Sequence, residues 1–209
     1  MPNMLSKCKL CRRAGEKLFL KGERCGSSKC SFGKKPYAPG QHKKKGGPMN
    51  EYGKQLLEKQ TLKRTYGIRE KQFSNYFDKA SGKKGKLSDS LMASLELRLD
   101  NVIFRLGFAD SRTQARQLVS HGFFTVNGKP VNIPSFEAKI GDIVAFKENK
   151  TGKKYLELLK ENIAKKQKGV PAWIEMDPKN FLGKVIAIPV EKDIRVSADL
   201  QAIIEFYSR

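Results

Sequence analysis

The chain has 209 residues, with 42 lysines and arginines against 21 acidic residues, a formal net charge of +21 at pH 7. That length suits one ordinary domain or two small ones, and 39% apolar residues is enough for a modest core, which excludes a wholly disordered tail. A pI near 9.9 points to a polyanionic partner, nucleic acid before an anionic membrane surface, and with no uninterrupted apolar run of about 18 residues a membrane-spanning helix is excluded. Met1 to Lys9 holds no apolar run that would serve as a signal peptide, so secretion is not expected. The charge is uneven: residues 1–86 hold 23 basic and 6 acidic side chains, whereas residues 87–209 hold 19 and 15. Self-repulsion on that scale in the first part favours a neutralising partner over a merely solvated surface.

All four cysteines lie in residues 1–30, as Cys8-x2-Cys11, thirteen residues, then Cys25-x4-Cys30. Two close pairs on knuckle-like turns fit a tetrahedral structural zinc site, closed by four thiolates and without a catalytic water. An iron–sulfur cluster, four unrelated thiols or two disulfides are the competing readings, the last disfavoured without secretion. Residues 31–50 carry four glycines, three prolines, five lysines and no acid, which predicts an extended basic arm with no helix of its own.

From Glu51 the pattern turns helical: Leu56, Leu57, Leu62 and Tyr66 alternate with charged residues, and Gly67 stops the run. Ile68, Phe73, Tyr76, Phe77 and Ala80 predict a second helix that ends in the basic linker 81–85. A third is expected from Ser88 or Ser90 to Leu106, closed by Gly107. Ser111 and Gln114 have capping-box spacing, so a helix should start at Arg112 and end at Gly122. Phe124–Val126 and Val131–Ile133 flank Asn127-Gly128-Lys129-Pro130, a hairpin signal. Ile143–Phe146 and Val185–Val190 read as further strands, 155–168 as an amphipathic helix, and Leu200 to Tyr207 as a final helix.

Enzyme signatures are few. No phosphate loop of the GxxxxGK[ST] type and no G-x-S-x-G motif occurs, and neither His42 nor His121 has a nearby nucleophile partner. Asp100 is expected as an exposed or capping group on its helix. Arg112 and Arg116, four apart, should share one exposed face suited to phosphate and ribose.

Tyr37-Ala38-Pro39-Gly40-Gln41-His42, the run Glu51 to Gln60, Arg64-Thr65-Tyr66-Gly67, Ser111 to Gln117, Val126-Asn127-Gly128 and the ending Ile203 to Arg209 together resemble the S-four family of bacterial small-subunit ribosomal proteins. The cysteines resemble that family's zinc-binding subset, which implies Zn2+ held by Cys8, Cys11, Cys25 and Cys30. The resemblance implies a non-enzymatic primary binder of 16S ribosomal RNA in the cytoplasmic small subunit, one that grips a junction of RNA helices and nucleates the body of the subunit. It implies contact with small-subunit protein five, a part in decoding accuracy with proteins five and twelve, and basic side chains along the channel by which messenger RNA enters. The expected fold is α+β: a zinc-binding basic arm over 1–45, a helical domain over 46–96, an RNA-binding domain with an antiparallel sheet over 97–196, and a C-terminal helix over 197–209 that packs on the helical domain. Expected RNA contacts are Lys34, Lys35, His42, Lys43, Lys44 and Lys45 on the arm. Tyr52, Lys54, Gln55, Lys59, Lys63, Arg64 and Arg69 follow on the helices, then Arg112, Arg116, Gln117, His121 and Lys129 on the helix–helix–hairpin unit. The rival is an RNA-modifying enzyme: modules similar to residues 97–146 occur attached to pseudouridine synthases, and Arg98-Leu99-Asp100 is superficially similar to their catalytic stretch. A zinc-dependent DNA-binding regulator would need dimer logic that the chain does not display.

Overall fold

The computed structural model describes residues 6–40, 48–147, 169–178, 180–190, 192, 194 and 197–208. The expected helix over 155–168 lies outside them. Packing divides the chain into two units: Met1–Ser74 with Val196–Arg209, and Asn75–Arg195.

The first unit is helical. It contains α1 (Lys7–Ala14), a 3-10 turn at Gly22–Cys25, the short α2 (Ser31–Lys34), α3 (Glu51–Tyr66), the start of α4 (Glu70–Ser81), and α8 (Leu200–Tyr207). Helix α3 starts where Asn50 accepts a hydrogen bond from the Gly53 N–H at 2.9 Å. It stops where Gly67 takes φ 63°, a conformation glycine adopts without steric cost. Helix α8 packs on α3, and α1 on both α2 and α3. Leu62, Tyr66, Phe73 and Ile203 are fully buried here. Residues 31–34 were expected to be extended; they form one helical turn, with Gly33 exposed and unhindered.

The second unit joins α5 (Leu87–Glu96), α6 (Leu99–Arg105) and α7 (Arg112–Ser120) to a five-stranded antiparallel sheet. Its strands β1 (Phe124–Val126), β2 (Lys129–Val131), β3 (Ile143–Phe146), β4 (Ile174–Asp177) and β5 (Leu182–Val185) run in the order β2-β1-β3-β5-β4. The core under the sheet is Leu99, Val102, Ile103, Leu106, Phe108, Ala115, Val119, Phe124, Val144, Trp173 and Val185.

Three expectations change in this unit. The single helix over 88–106 is two helices, because the backbone at the junction is drawn into pairing with another segment. Ala138 N–H donates to the Leu97 carbonyl at 2.8 Å, Leu99 N–H donates to the Phe136 carbonyl at 2.8 Å, and Arg98 bridges Glu137. A continuous helix would have used those groups internally. The hairpin turn is Asn127-Gly128 alone, with φ 50° and 76°, so β2 begins at Lys129 and not at Val131. The last strands lie at 174–177 and 182–185. The apolar run after Val185 places Ile186, Ile188 and Val190 on the surface. Gly183 in β5 is required by packing: a Cβ there would run into the buried Leu106 side chain.

Candidate nucleic-acid interface

Cys8 and Cys11 lie on α1 and not on a turn, Cys25 ends the 3-10 turn, and Cys30 immediately precedes α2. All four are free thiols and line one small pocket beside Lys7, Lys21 and Arg24. Backbone donors point at the sulfurs: the Lys21 N–H reaches Cys25 Sγ at 3.3 Å, and the Gly33 N–H, above the other influences, pulls the Cys30 thiol below its ordinary value. Burial pushes the Cys11 thiol up. Among the described residues no group of three His, Cys, Asp or Glu side chains is placed so that it could hold a metal ion. The four sulfurs therefore face a common space without closing on it.

The basic side chains fall into two classes. Lys34, Lys35, Lys54 and Arg69 are exposed in the first unit, as are Gln117, His121 and Lys129 in the second. Tyr52 is half exposed, with its ring 5.6 Å from Phe206, and so offers a stacking face. Arg64 is half-buried at the end of α3. His42, Lys43, Lys44 and Lys45 lie outside the described residues.

Other expected contacts are engaged inside the protein. Lys59 is buried, donates to Glu70 at 2.7 Å and lies 4.2 Å from the centre of the Phe206 ring. Lys63 donates to the other Glu70 oxygen at 2.6 Å. Gln55 is buried and donates to Glu51 and Glu205. Arg112 and Arg116 do share a face of α7, but that face meets α6 and is only partly open to solvent. Arg112 donates to Asn101 at 2.7 Å and covers the Phe104 ring; Arg116 donates to Asp100 at 2.8 Å. Asp100 is neither exposed nor a helix cap. It is buried between Arg116 and Arg98.

Two features escaped the sequence reading. Arg13 stands exposed in the last turn of α1. In a strongly basic chain, Glu51, Glu58, Asp199 and Glu205 gather along the α3/α8 groove with Lys54 and Gln55. The spacing of Glu51, Gln55 and Glu58 on one helical face was the available clue; the contribution of α8 was not visible locally.

Residues 4–96 match the family described as ribosomal protein S4/S9 N-terminal domain, and residues 97–144 match the S4 domain. The chain is 50% identical over 202 residues to small ribosomal subunit protein uS4 of Ruminiclostridium cellulolyticum, across 97% of this chain and 96% of that protein. This chain belongs to the ribosomal protein S4 family. The likeness to uS4 of Thermotoga petrophila is 50% over 204 residues, 97% of this chain and 96% of that one. For uS4 of Oleidesulfovibrio alaskensis it is 49% over 204 residues, 98% and 97%. The S4-family proteins it matches end to end are structural ribosomal proteins. That overturns the rival reading of an RNA-modifying enzyme that carries an S4-type module. No described helix is long and apolar enough to cross a membrane.

Proposed function

We propose that this chain is a structural protein of the small ribosomal subunit in the cytoplasm, a primary binder of 16S ribosomal RNA that nucleates assembly of the subunit body. The observation that carries the reading is identity near one half to uS4 proteins along 97% of the chain. The charge distribution supports it. Lysines and arginines displace counterions from phosphates, and exposed Lys34, Lys35 and Arg69 in one unit and Lys129 in the other give each unit an exposed basic side chain for RNA. Recognition then rests on the shape of a folded junction, since side chains do not read bases in the deep, narrow major groove of an RNA helix.

The acidic α3/α8 groove repels RNA and suits a basic protein; we assign the contact with small-subunit protein five to it. Through that contact the protein takes part in decoding accuracy with proteins five and twelve, and its basic side chains line the channel where messenger RNA enters. Zn2+ at Cys8, Cys11, Cys25 and Cys30 rests on the paired cysteine spacing and on their lining one pocket with basic side chains, although as placed the four do not close on a metal. It would act as a structural cross-link for a segment with little core of its own.

The test is binding of the full chain to the folded 5′ domain of 16S RNA against a scrambled RNA of equal length, over a salt series. A preference for the folded domain that survives high salt is expected. Affinity should fall with a log–log slope of roughly −0.7 to −0.9 per phosphate contacted. Equal binding to both RNAs, lost together as salt rises, would reduce the chain to a generic polycation.

A further inference from the structure

Lys59 meets Glu70 and Arg116 meets Asp100, whereas Lys34 and Lys35 face solvent. Arg12 does neither. It is half-buried in the last turn of α1, and its fork is turned onto the main chain of residues 37 and 38. Nε donates to the Tyr37 carbonyl at 2.9 Å and Nη2 to the Ala38 carbonyl at 3.4 Å. The same guanidinium lies 4.9 Å from the centre of the Tyr37 ring. One side chain therefore holds two consecutive residues by their carbonyls and one of them by its ring.

The segment so held is irregular. Residues 35–40 carry no helix or strand, and Pro36 and Pro39 have no N–H to donate. It continues directly from α2, whose end bears the exposed Lys34 and Lys35. A loose segment loses its freedom when it binds, and the affinity is lower by that loss; a segment already held in place loses less. Arginine suits the task because its planar fork spans two oxygens and stacks on a ring. Carbonyl partners fix its direction without cancelling its charge, so the start of the basic arm remains positive.

We propose that Arg12 is a positioning residue for RNA binding: it touches no RNA, and it holds Tyr37 and Ala38 on α1 so that the segment from Lys34 to Gly40 is set before RNA arrives. This rests on the RNA-binding reading above and deepens it by naming a residue that acts through the backbone of the arm.

The test uses the full chain with Arg12→Met, with Tyr37→Leu, which leaves α1 untouched, and with both. In free Arg12→Met, NMR order parameters of the Tyr37, Ala38 and Gly40 amides should fall from about 0.85 to below about 0.6, while those of α1 stay unchanged. Affinity for the folded 16S 5′ domain should fall about fivefold, the worth of one hydrogen bond and a ring contact. The salt slope should not change, because the same phosphates are still contacted. Tyr37→Leu should lose less than Arg12→Met, and the double variant no more than Arg12→Met alone. Order parameters that stay high would show that Arg12 does not hold the arm, and α1 amides that loosen with it would mark a residue of the fold only. A mobile arm with unchanged affinity would show that the tie does not serve RNA. A salt slope flatter by about 0.7–0.9 would mark a direct phosphate contact, and losses that multiply in the double variant would mark two independent contacts; each overturns the positioning role. A wild-type chain that fails to prefer the folded domain over scrambled RNA overturns the RNA reading itself, and is told apart because no variant is needed to see it.

Discussion

Asp100 is 2% exposed and accepts from two arginines, from Arg98 Nε and Nη2 at 3.1 and 2.8 Å and from Arg116 Nε at 2.8 Å. Arg98 also donates to the Tyr76 hydroxyl at 2.7 Å, and burial of its guanidinium is outweighed by Asp100, so it stays charged. The neighbouring group is built alike: Asn101 donates to Glu96 and accepts from Arg112, while Arg105 pairs with Glu96. Removal of one member of such a buried set leaves an uncompensated charge, a far larger loss than the net worth of the pair. Asp100→Asn, which keeps the shape, should therefore destabilise the second unit by about 3–5 kcal/mol. Urea unfolding followed by Trp173, the sole tryptophan and buried in that unit, measures it. A loss below about 1 kcal/mol, the range of an exposed ion pair, would show that solvent reaches the site. The same geometry bears on Arg112 and Arg116: a charge reversal at both acts on folding before it acts on RNA, so exposed Gln117 and Lys129 are the cleaner RNA probes in the second unit.

At the scale of elements, Glu70 fastens α3 to α4. It opens α4 and receives Lys59 and Lys63 from α3, with the Tyr207 hydroxyl of α8 donating to the same oxygen as Lys59 at 3.2 Å. Burial raises its pKa, but the two lysines lower it further and bring it down to about 2. A depressed carboxyl contributes stability above its unfolded value of about 4.3, and that contribution fades as pH falls through the folded value. Because Glu70 is 48% exposed, solvent screening keeps the contribution below about 1 kcal/mol. The difference in urea midpoint between the native chain and Glu70→Gln should be constant above pH 5 and shrink between about 4.3 and 2. A difference that does not change with pH would mean that the lysines do not act through the ionised carboxylate. Elements with local causes were legible in the sequence. Gly67 ends α3, the Ser111 hydroxyl accepts from the Gln114 N–H at 3.3 Å, and Asn127-Gly128 turns the hairpin. Elements with distant causes were not. Leu97 and Arg98 break a helix because residues 136–138 pair with that stretch, β5 contains a glycine because Leu106 approaches it, and Asp100 is buried because Arg116 reaches across from α7. For the same reason the sequence named candidate basic residues without separating Lys34 and Lys54, which face solvent, from Lys59 and Arg116, which face carboxylates.

For the whole molecule, the two units differ in what holds them together. The second has a continuous apolar core with Trp173 in it, and polar ties at its helix ends. The N-terminal part of the first has an eight-residue helix, a 3-10 turn and a four-residue helix, with Leu10, Cys11, Leu18 and Cys25 as its buried apolar groups. Helices that short are not stable alone in water, and four side chains do not offset the ordering of some thirty residues. Arg12 contributes one more tie, donating to the Tyr37 carbonyl at 2.9 Å with its guanidinium over the Tyr37 ring. If the four thiols hold a metal, its removal releases a cross-link whose free energy is the folding energy of that segment. Treatment of the full chain with a chelator should raise amide exchange over residues 6–30 and leave Trp173 emission unchanged. A metal-free chain whose residues 6–30 remain protected would show that packing on α3 suffices, and a Trp173 shift on chelation would show that the segment supports more of the molecule than its own few buried side chains suggest.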